Sequence, residues 1–205
     1  MSGLVDNVLA HLSAEQISQI AAQLGTDPAQ ARAAIEHAVP LIVGGMAQNA
    51  TTPQGADALN NALGQHAGLD IGSVLGSVLG GGGSGLGSSI LGHIFGPKQS
   101  AANQGLGQAT GLGQQNAGQL LAILAPIVMA ALANHAQAQG NLNPGGLGSI
   151  LGQANQQIQR QGGTLGGLVN GVLNHQGGNF DLSQVLASMG AGGGLGGLLG
   201  ALGGR

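Results

Sequence analysis

The stretch Leu120 to Ala133, LLAILAPIVMAALA, is the longest nearly unbroken apolar run in the chain. A helix that spans a membrane needs about 20 apolar residues, so this run predicts a buried core helix instead. The surrounding pattern extends that helix to Asn116–Ala138, with Pro126 inside it. No stretch elsewhere has the alternating, β-branched pattern of a strand, so we expect an all-α fold.

The core run has a counterpart earlier in the chain. Val39–Ala47, VPLIVGGMA, aligns with Ala125–Ala133, APIVMAALA, and the proline falls at the same place in both. A second pair follows in the same order, because Asn61–His66 and Leu69–Leu75 align with Asn170–His175 and Phe180–Leu186. Repeats in a constant order indicate an internal duplication.

The duplication predicts two helical halves that divide near Pro97, namely 1–97 and 98–205. Each half would contain a proline-kinked apolar core helix, followed by a histidine, a loop and an Asp-capped helix. The second half also carries an insertion and a Gly-rich tail. We therefore expect an internally duplicated helical domain with Gly-rich helices and loops.

Local signals place the other helices. Ser13 and Gln16 form a capping box, and Gly25 is typical of a helix C-terminus. Asp27-Pro28 and Thr52-Pro53 are helix starts, and Asp70 is placed to cap a helix over 71–80. Pro40 is expected to break or kink its helix. Short helices are expected over 88–95 and after Pro144, with a weak helix between 99 and 115.

The segment 39–63, VPLIVGGMAQNATTPQGADALNNAL, the later LLAILAPIVMAALA and the Gly-Leu-Gly stretches resemble one known family. This is the bacterial domain-of-unknown-function 937 family, related to YidB-like proteins. The resemblance covers most of the chain and is sharpest at Val39–Leu63 and Gln119–Leu132. It implies a bacterial helical protein without an assigned activity, and it contributes no catalytic residues.

Charge is scarce: charged residues make up 5% of the chain, against about 25% in ordinary domains. Four Lys and Arg side chains cannot supply a footprint for a phosphate backbone, so we expect no nucleic-acid partner. Ile17–Ile35 has the form of a helix-turn-helix, but its second helix offers only Gln30 and Arg32 for recognition. A structural helical hairpin is the favoured interpretation.

The chemistry of catalysis is also sparse. There is no Cys, and no Ser lies in a Gly-x-Ser-x-Gly elbow after a predicted strand. The glycine clusters lack the Lys-Ser/Thr ending of a phosphate-binding loop. Asp27, Asp70 and Asp181 fall at helix starts, where capping accounts for them. We therefore expect no enzyme activity, no cofactor and no catalytic residue.

Two histidines occupy equivalent positions in the repeats. His66 and His175 each precede an Asp-capped helix, so with Asp70 and Asp181 they could form a metal site or a pH switch. The simpler interpretation is that each histidine lies at a helix C-terminus and bonds the terminal carbonyls. The interpretation as helix C-terminal residues is favoured, and the metal site remains a minor candidate.

Regularly spaced glycines are the positive functional signal. Small residues four apart let two helix backbones approach closely, and in the tail a Leu face accompanies the Gly face. The predicted self-association residues are Gly72, Gly76, Gly80, Gly192, Gly196, Gly200, Gly204, Leu195, Leu198, Leu199 and Leu202.

These patterns favour a non-enzymatic structural or interaction protein that binds itself as a homo-oligomer or filament. One alternative is a membrane-active Gly/Leu helical protein, which the lack of Lys and Arg on a polar face disfavours. The other is a small-molecule or metal binder that uses His66 and His175. The N-terminus has no signal-peptide pattern, so the expected compartment is the cytoplasm.

Overall fold

A computed structural model describes residues 8, 12–66, 68, 70–78, 80, 84–140 and 143–161. Within these ranges the chain is helical and has no strand, which confirms the all-α expectation. The helices are α1 (Ala14–Leu24), α2 (Pro28–Asn49), α3 (Pro53–His66), α4 (Ile71–Ser77), α5 (Ser84–Phe95), α6 (Gln99–Thr110), α7 (Gln114–Ala138) and α8 (Pro144–Gln161). A 3-10 turn, Gly96–Lys98, lies between α5 and α6.

Helix α7 lies at the centre of the fold. Every residue from Ile123 to Ala133 is buried, and each of the other seven helices named above packs against α7. A helix with apolar residues on all sides is stable in water only when it is enclosed in this way. The prediction of a buried core helix is confirmed.

Helix α2 is the second core element and packs directly on α7. Its segment Ala38–Met46 is completely buried. Pro40 lies inside α2 as Pro126 lies inside α7, and both helices continue past the proline. The expectation that Pro40 could end its helix is therefore wrong. A proline removes only one backbone hydrogen bond, and the buried apolar residues on both sides keep the helix together.

The predicted caps at the first two helix starts are confirmed. The Gln16 amide donates to Ser13 Oγ (3.3 Å), and the Ser13 amide donates to Gln16 Oε1 (2.9 Å). Gly25 closes α1 in the left-handed conformation, with φ 64°. Asp27 then caps α2 by accepting from the Gln30 amide (2.9 Å).

Three helices are longer or more regular than the sequence predicts. Helix α5 begins at Ser84 rather than Ser88, and α6 and α8 are single helices of 12 and 18 residues. Leu106 of α6 and Leu151 of α8 are fully buried. Burial of such residues along one face stabilises Gly-rich segments whose intrinsic helix propensity is low.

Some glycines are needed where helices meet inside the chain. A Cβ at Gly87 of α5 would overlap the carbonyl group of Ala122 in α7. This carbonyl has no helical donor, because its partner four residues on is Pro126. A Cβ at Gly118 would come within 2.8 Å of Asn103, and one at Gly45 within 2.7 Å of Phe95.

The two predicted halves share one core. Asn116 at the start of α7 donates to the Leu24 carbonyl (3.0 Å), and Gln30 donates to the Thr110 carbonyl (3.4 Å). One continuous hydrophobic cluster contains residues from both α2 and α7. The boundary near Pro97 falls at the 3-10 turn between α5 and α6, and the division into 1–97 and 98–205 stays a prediction.

Candidate self-association surface

The predicted glycine row Gly72, Gly76 and Gly80 lies on the surface. Among the described residues, and apart from the helix's own backbone, no atom lies within 4 Å of a Cβ placed at Gly76 or Gly80, and the one neighbour at Gly72 is the Asp70 carboxylate, at 3.0 Å. Within the described ranges these glycines therefore make no close contact with another helix. They differ in this from Gly87, whose missing side chain is required by packing.

The opposite face of α4 points inward. Val74 is partly buried, and Val78, just after the helix, is 8% exposed. Each valine lies two positions along the chain from the nearest glycines. Two positions correspond to a rotation of about 200° around a helix, so the valine row and the glycine row lie on opposite sides. Packing of the valine face on α7 leaves the glycine face directed at solvent.

Asp70 holds the start of α4. Its Oδ2 accepts from the Ser73 amide (2.9 Å) and from the Ser73 hydroxyl (3.3 Å). This confirms the capping role predicted for Asp70. The seven-residue α4 has few internal hydrogen bonds, so the cap and the valine contacts with α7 fix its orientation.

Sequence reasoning missed a second small-residue face, which lies on α5. Its members are exposed, and no atom of another described element lies within 4 Å of a Cβ at either Gly85 or Gly92. The signal in the sequence was the alternation of small residues with the buried Leu91 and Ile94, which was hidden because the helix was expected to begin only at Ser88. The exposed residues of this face are Gly85, Ser88, Ser89 and Gly92.

The C-terminal part of the predicted surface lies outside the described residues. It comprises Gly192, Gly196, Gly200, Gly204, Leu195, Leu198, Leu199 and Leu202.

The histidine pair is not brought together by the part of the chain that is described. His66 ends α3, and nothing is described of its side chain, whereas His175 and Asp181 lie outside the described ranges. Asp70 is already used as a cap. No cluster of three metal-ligating side chains occurs among the residues with described positions.

Other histidines bond within their own helices. Nδ1 of His37 donates to the Ala33 carbonyl (2.8 Å), and Nδ1 of His93 donates to the Ser89 carbonyl (2.7 Å). His93 and His135 lie in the last turns of α5 and α7. His37 lies in the middle of α2, and the interpretation of His66 and His175 as helix-end residues stays a prediction.

The helix-turn-helix candidate forms a hairpin of α1 and α2, but its recognition residues are already occupied. Gln30 hydrogen-bonds the hydroxyl of Thr26 and the carbonyl of Thr110. Arg32 pairs with Glu36 at 3.3 Å on the exposed face of α2. The start of α2 therefore offers little to a DNA groove.

A cavity of about 280 Å³ lies where the ends of α2 and α5 meet the start of α3. Three of its five polar side chains hydrogen-bond to backbone groups. Asn49 donates to the His93 carbonyl (2.8 Å), Thr51 donates to the Gln48 carbonyl (2.6 Å), and Thr52 accepts from the Gly55 amide (3.1 Å). These bonds cap helix ends, so the cavity has the character of a structural corner.

Among the helices of the described ranges, α7 alone has the length and apolar composition needed to cross a membrane. In the fold it is a core helix, since 78% of its most apolar stretch is buried.

Comparison with known proteins gives one match. A family of bacterial proteins of unknown function, DUF937, matches residues 6–137 and so includes α1 to α6 and nearly all of α7. No curated protein and no solved structure matches the chain significantly. Because the match extends over more than half of the sequence, the chain belongs to the DUF937 family of bacterial proteins.

Proposed function

We propose that the chain is a non-enzymatic protein that binds copies of itself through helix packing, as a homo-oligomer or a filament. The observation that carries the proposal is the exposed glycine row of α4, where no other element in the described part of the chain comes within 4 Å of a Cβ placed at Gly76 or Gly80. A glycine in a helix costs about 1 kcal/mol relative to alanine. Close approach of a second copy would compensate for that cost.

The composition of the surface supports association by backbone approach. Where the burial of the side chain is described, no Leu, Ile, Val, Met or Phe is exposed, and the exposed residues are mainly Gly, Ala, Ser and Gln. This part of the surface has no large apolar patch, but it also has little charge to hold copies apart. Small residues are the type that allows two helices to come into close contact.

The internal duplication belongs to the same proposal. The two matched segments, Val39–Ala47 and Ala125–Ala133, lie in the two core helices, and α2 and α7 pack on each other. This arrangement supports a pseudo-symmetric origin of the core. The Gly-rich helices are then the more variable shell that carries the contact surface.

The absence of an enzymatic role is part of the proposal. Asp27 and Asp70 act as caps, and Glu36 is paired with Arg32. Three polar side chains of the cavity beside α3 are likewise hydrogen-bonded to backbone. Covalent catalysis requires a nucleophile and a base in hydrogen-bond contact. The Ser73 hydroxyl does contact the Asp70 carboxylate (3.3 Å), but this exposed carboxylate also caps α4, so we assign the pair a structural role.

The test compares two charge substitutions by sedimentation velocity of the full-length protein. Gly76→Glu places a carboxylate in the proposed contact, and Ala22→Glu places one on the exposed face of α1. We expect Gly76→Glu to shift the protein to a smaller species, because a charge buried between copies is costly. Ala22→Glu should sediment like the wild type. Identical profiles for both variants and the wild type would remove α4 from the interface.

A further inference from the structure

We propose that the protein has a second state in which α7 crosses a lipid bilayer. The apolar part of α7, Ala117–Ala133, has 17 residues, of which Gln119 is the one polar member, and a length of about 26 Å at 1.5 Å per residue. The hydrocarbon core of a bilayer is about 30 Å thick, and membrane-spanning helices have about 17 to 25 residues, so this part meets the lower end of that range. Helix α7 contains no Asp, Glu, Lys or Arg, and its Pro126 is of a kind that membrane helices tolerate.

The helices that surround α7 contain far fewer charged residues than the helices that surround the core helix of an ordinary soluble protein. Lys98 is the only charged residue between Asp70 and Arg160, apart from the histidines. This segment supplies α4, α5, α6 and α8 up to position 159, all of which pack on α7. In a typical domain about a quarter of such residues are charged and keep the enclosing helices in water. Here the enclosing helices can lie against a membrane surface without loss of charge hydration.

Glycines flank α7 at both of its ends. Gly111 and Gly113 precede it with φ of 73° and 76°, and Gly140 follows it with φ of 67°. Glycine populates left-handed and right-handed backbone conformations about equally well, so these turns can change direction at low cost. The helix can therefore leave the bundle as one unit, with its internal hydrogen bonds kept.

The energetics of the two states are balanced around α7 itself. Its apolar side chains exchange contacts with α2 and α5 for contacts with lipid, and both surroundings are apolar. The enclosing helices are rich in glycine and have low stability when separate. In the second state, α7 and the apolar faces of these helices contact the bilayer instead of one another.

The lipid chemistry follows from the charge of the chain. Four Lys and Arg residues and a net charge of −3 provide no basic face. Attraction to anionic headgroups is therefore excluded as the driving force. Insertion should be equal in zwitterionic and anionic vesicles and should not change with salt.

The absence of Trp from the sequence allows a direct test. Met129→Trp places a single fluorophore in the middle of α7, and Gln19→Trp places one on the exposed face of α1. Full-length variants are mixed with phosphatidylcholine vesicles brominated on the acyl chains, with and without phosphatidylglycerol. Bromine quenches only a Trp in contact with lipid, so burial in the protein core gives no signal.

We expect several-fold stronger quenching at position 129 than at position 19, in both lipid mixtures and at low and high salt. Ile123→Trp serves as a second probe of α7 if circular dichroism shows that Met129→Trp does not fold. No quenching at either α7 position overturns the proposal. Equal quenching at α1 and α7, or quenching that requires anionic lipid, also overturns it, because surface adsorption would then account for the binding.

Discussion

Glycine has two different roles along α5, and the two cannot be told apart from sequence alone. Gly87 faces α7, where a side chain would overlap the Ala122 carbonyl. Gly92 is exposed, with no atom near the position of a Cβ. Sequence spacing identifies regular rows of glycine, but the contact between Gly87 and Ala122 joins residues from different helices. Only the folded structure shows at which glycines a side chain would overlap a neighbouring helix.

Substitution of these two glycines should therefore have opposite effects. We expect Gly87→Ala to lower the free energy of unfolding by about 1–3 kcal/mol, since the added methyl group forces α5 away from α7. Gly92→Ala should raise it by about 0.5–1 kcal/mol, because alanine is the better helix former. Urea denaturation followed by circular dichroism gives both values. Equal effects at the two sites would contradict the packing described for α5.

Asn49 is expected to be a structural residue of the corner between α2, α3 and α5. Its side chain donates to the His93 carbonyl near the end of α5. Asn49→Ala should cost about 1 kcal/mol of stability, as expected for one hydrogen bond. Gln48→Ala, on the exposed rim of the same cavity, is the matched control and should change stability little. Thermal melts of the two variants test this difference.

Prediction succeeded best for elements whose signal is local or strongly apolar. The capping residues and the run Leu120–Ala133 gave the correct positions for α1, α2, α3 and α7. Helices α6 and α8 were underestimated, because Gly and Gln lower intrinsic helix propensity and the stabilising contacts come from α7 and α2. The continuity of α2 through Pro40 has the same explanation, since tertiary burial outweighs the lost hydrogen bond.

Hydrogen exchange should rank the helices by this dependence on packing. Amides of Ala38–Met46 and Ile123–Ala133 should exchange slowest, because these segments are fully enclosed. Amides of α4 should exchange fastest among the helices, since α4 has seven residues and an exposed glycine face. Mass spectrometry of native-state hydrogen exchange measures this order. In a sample that is monomeric, equal protection of α4 and α7 would contradict the predicted order.

At the scale of the whole molecule, the fold class and the central helix could be predicted from the sequence, but the proposed contact surface could be predicted only in part. The row Gly72, Gly76 and Gly80 was identified by spacing and is exposed. The exposed small residues of α5 were missed, because the Gly-rich start of that helix has low helix propensity. The Gly192–Gly204 register stays a sequence-based prediction.

Removal of residues 162–205 separates the helical core from the predicted tail interface. Among the described residues one buried cluster extends from Val8 to Ala154, so we expect the chain 1–161 to keep its helical content and unfold cooperatively. It should associate less than the full-length chain, because the Gly and Leu faces of 192–204 are lost. Light scattering at matched concentrations measures the difference. Unchanged association would assign the interface to the 1–161 part alone.

Sedimentation equilibrium of the full-length protein over a wide range of concentrations tests the central claim most directly. The mass of one chain is 19.7 kDa. Self-association through helix packing predicts an average mass above this value that increases with concentration. A single species of 19.7 kDa at every concentration would contradict the account.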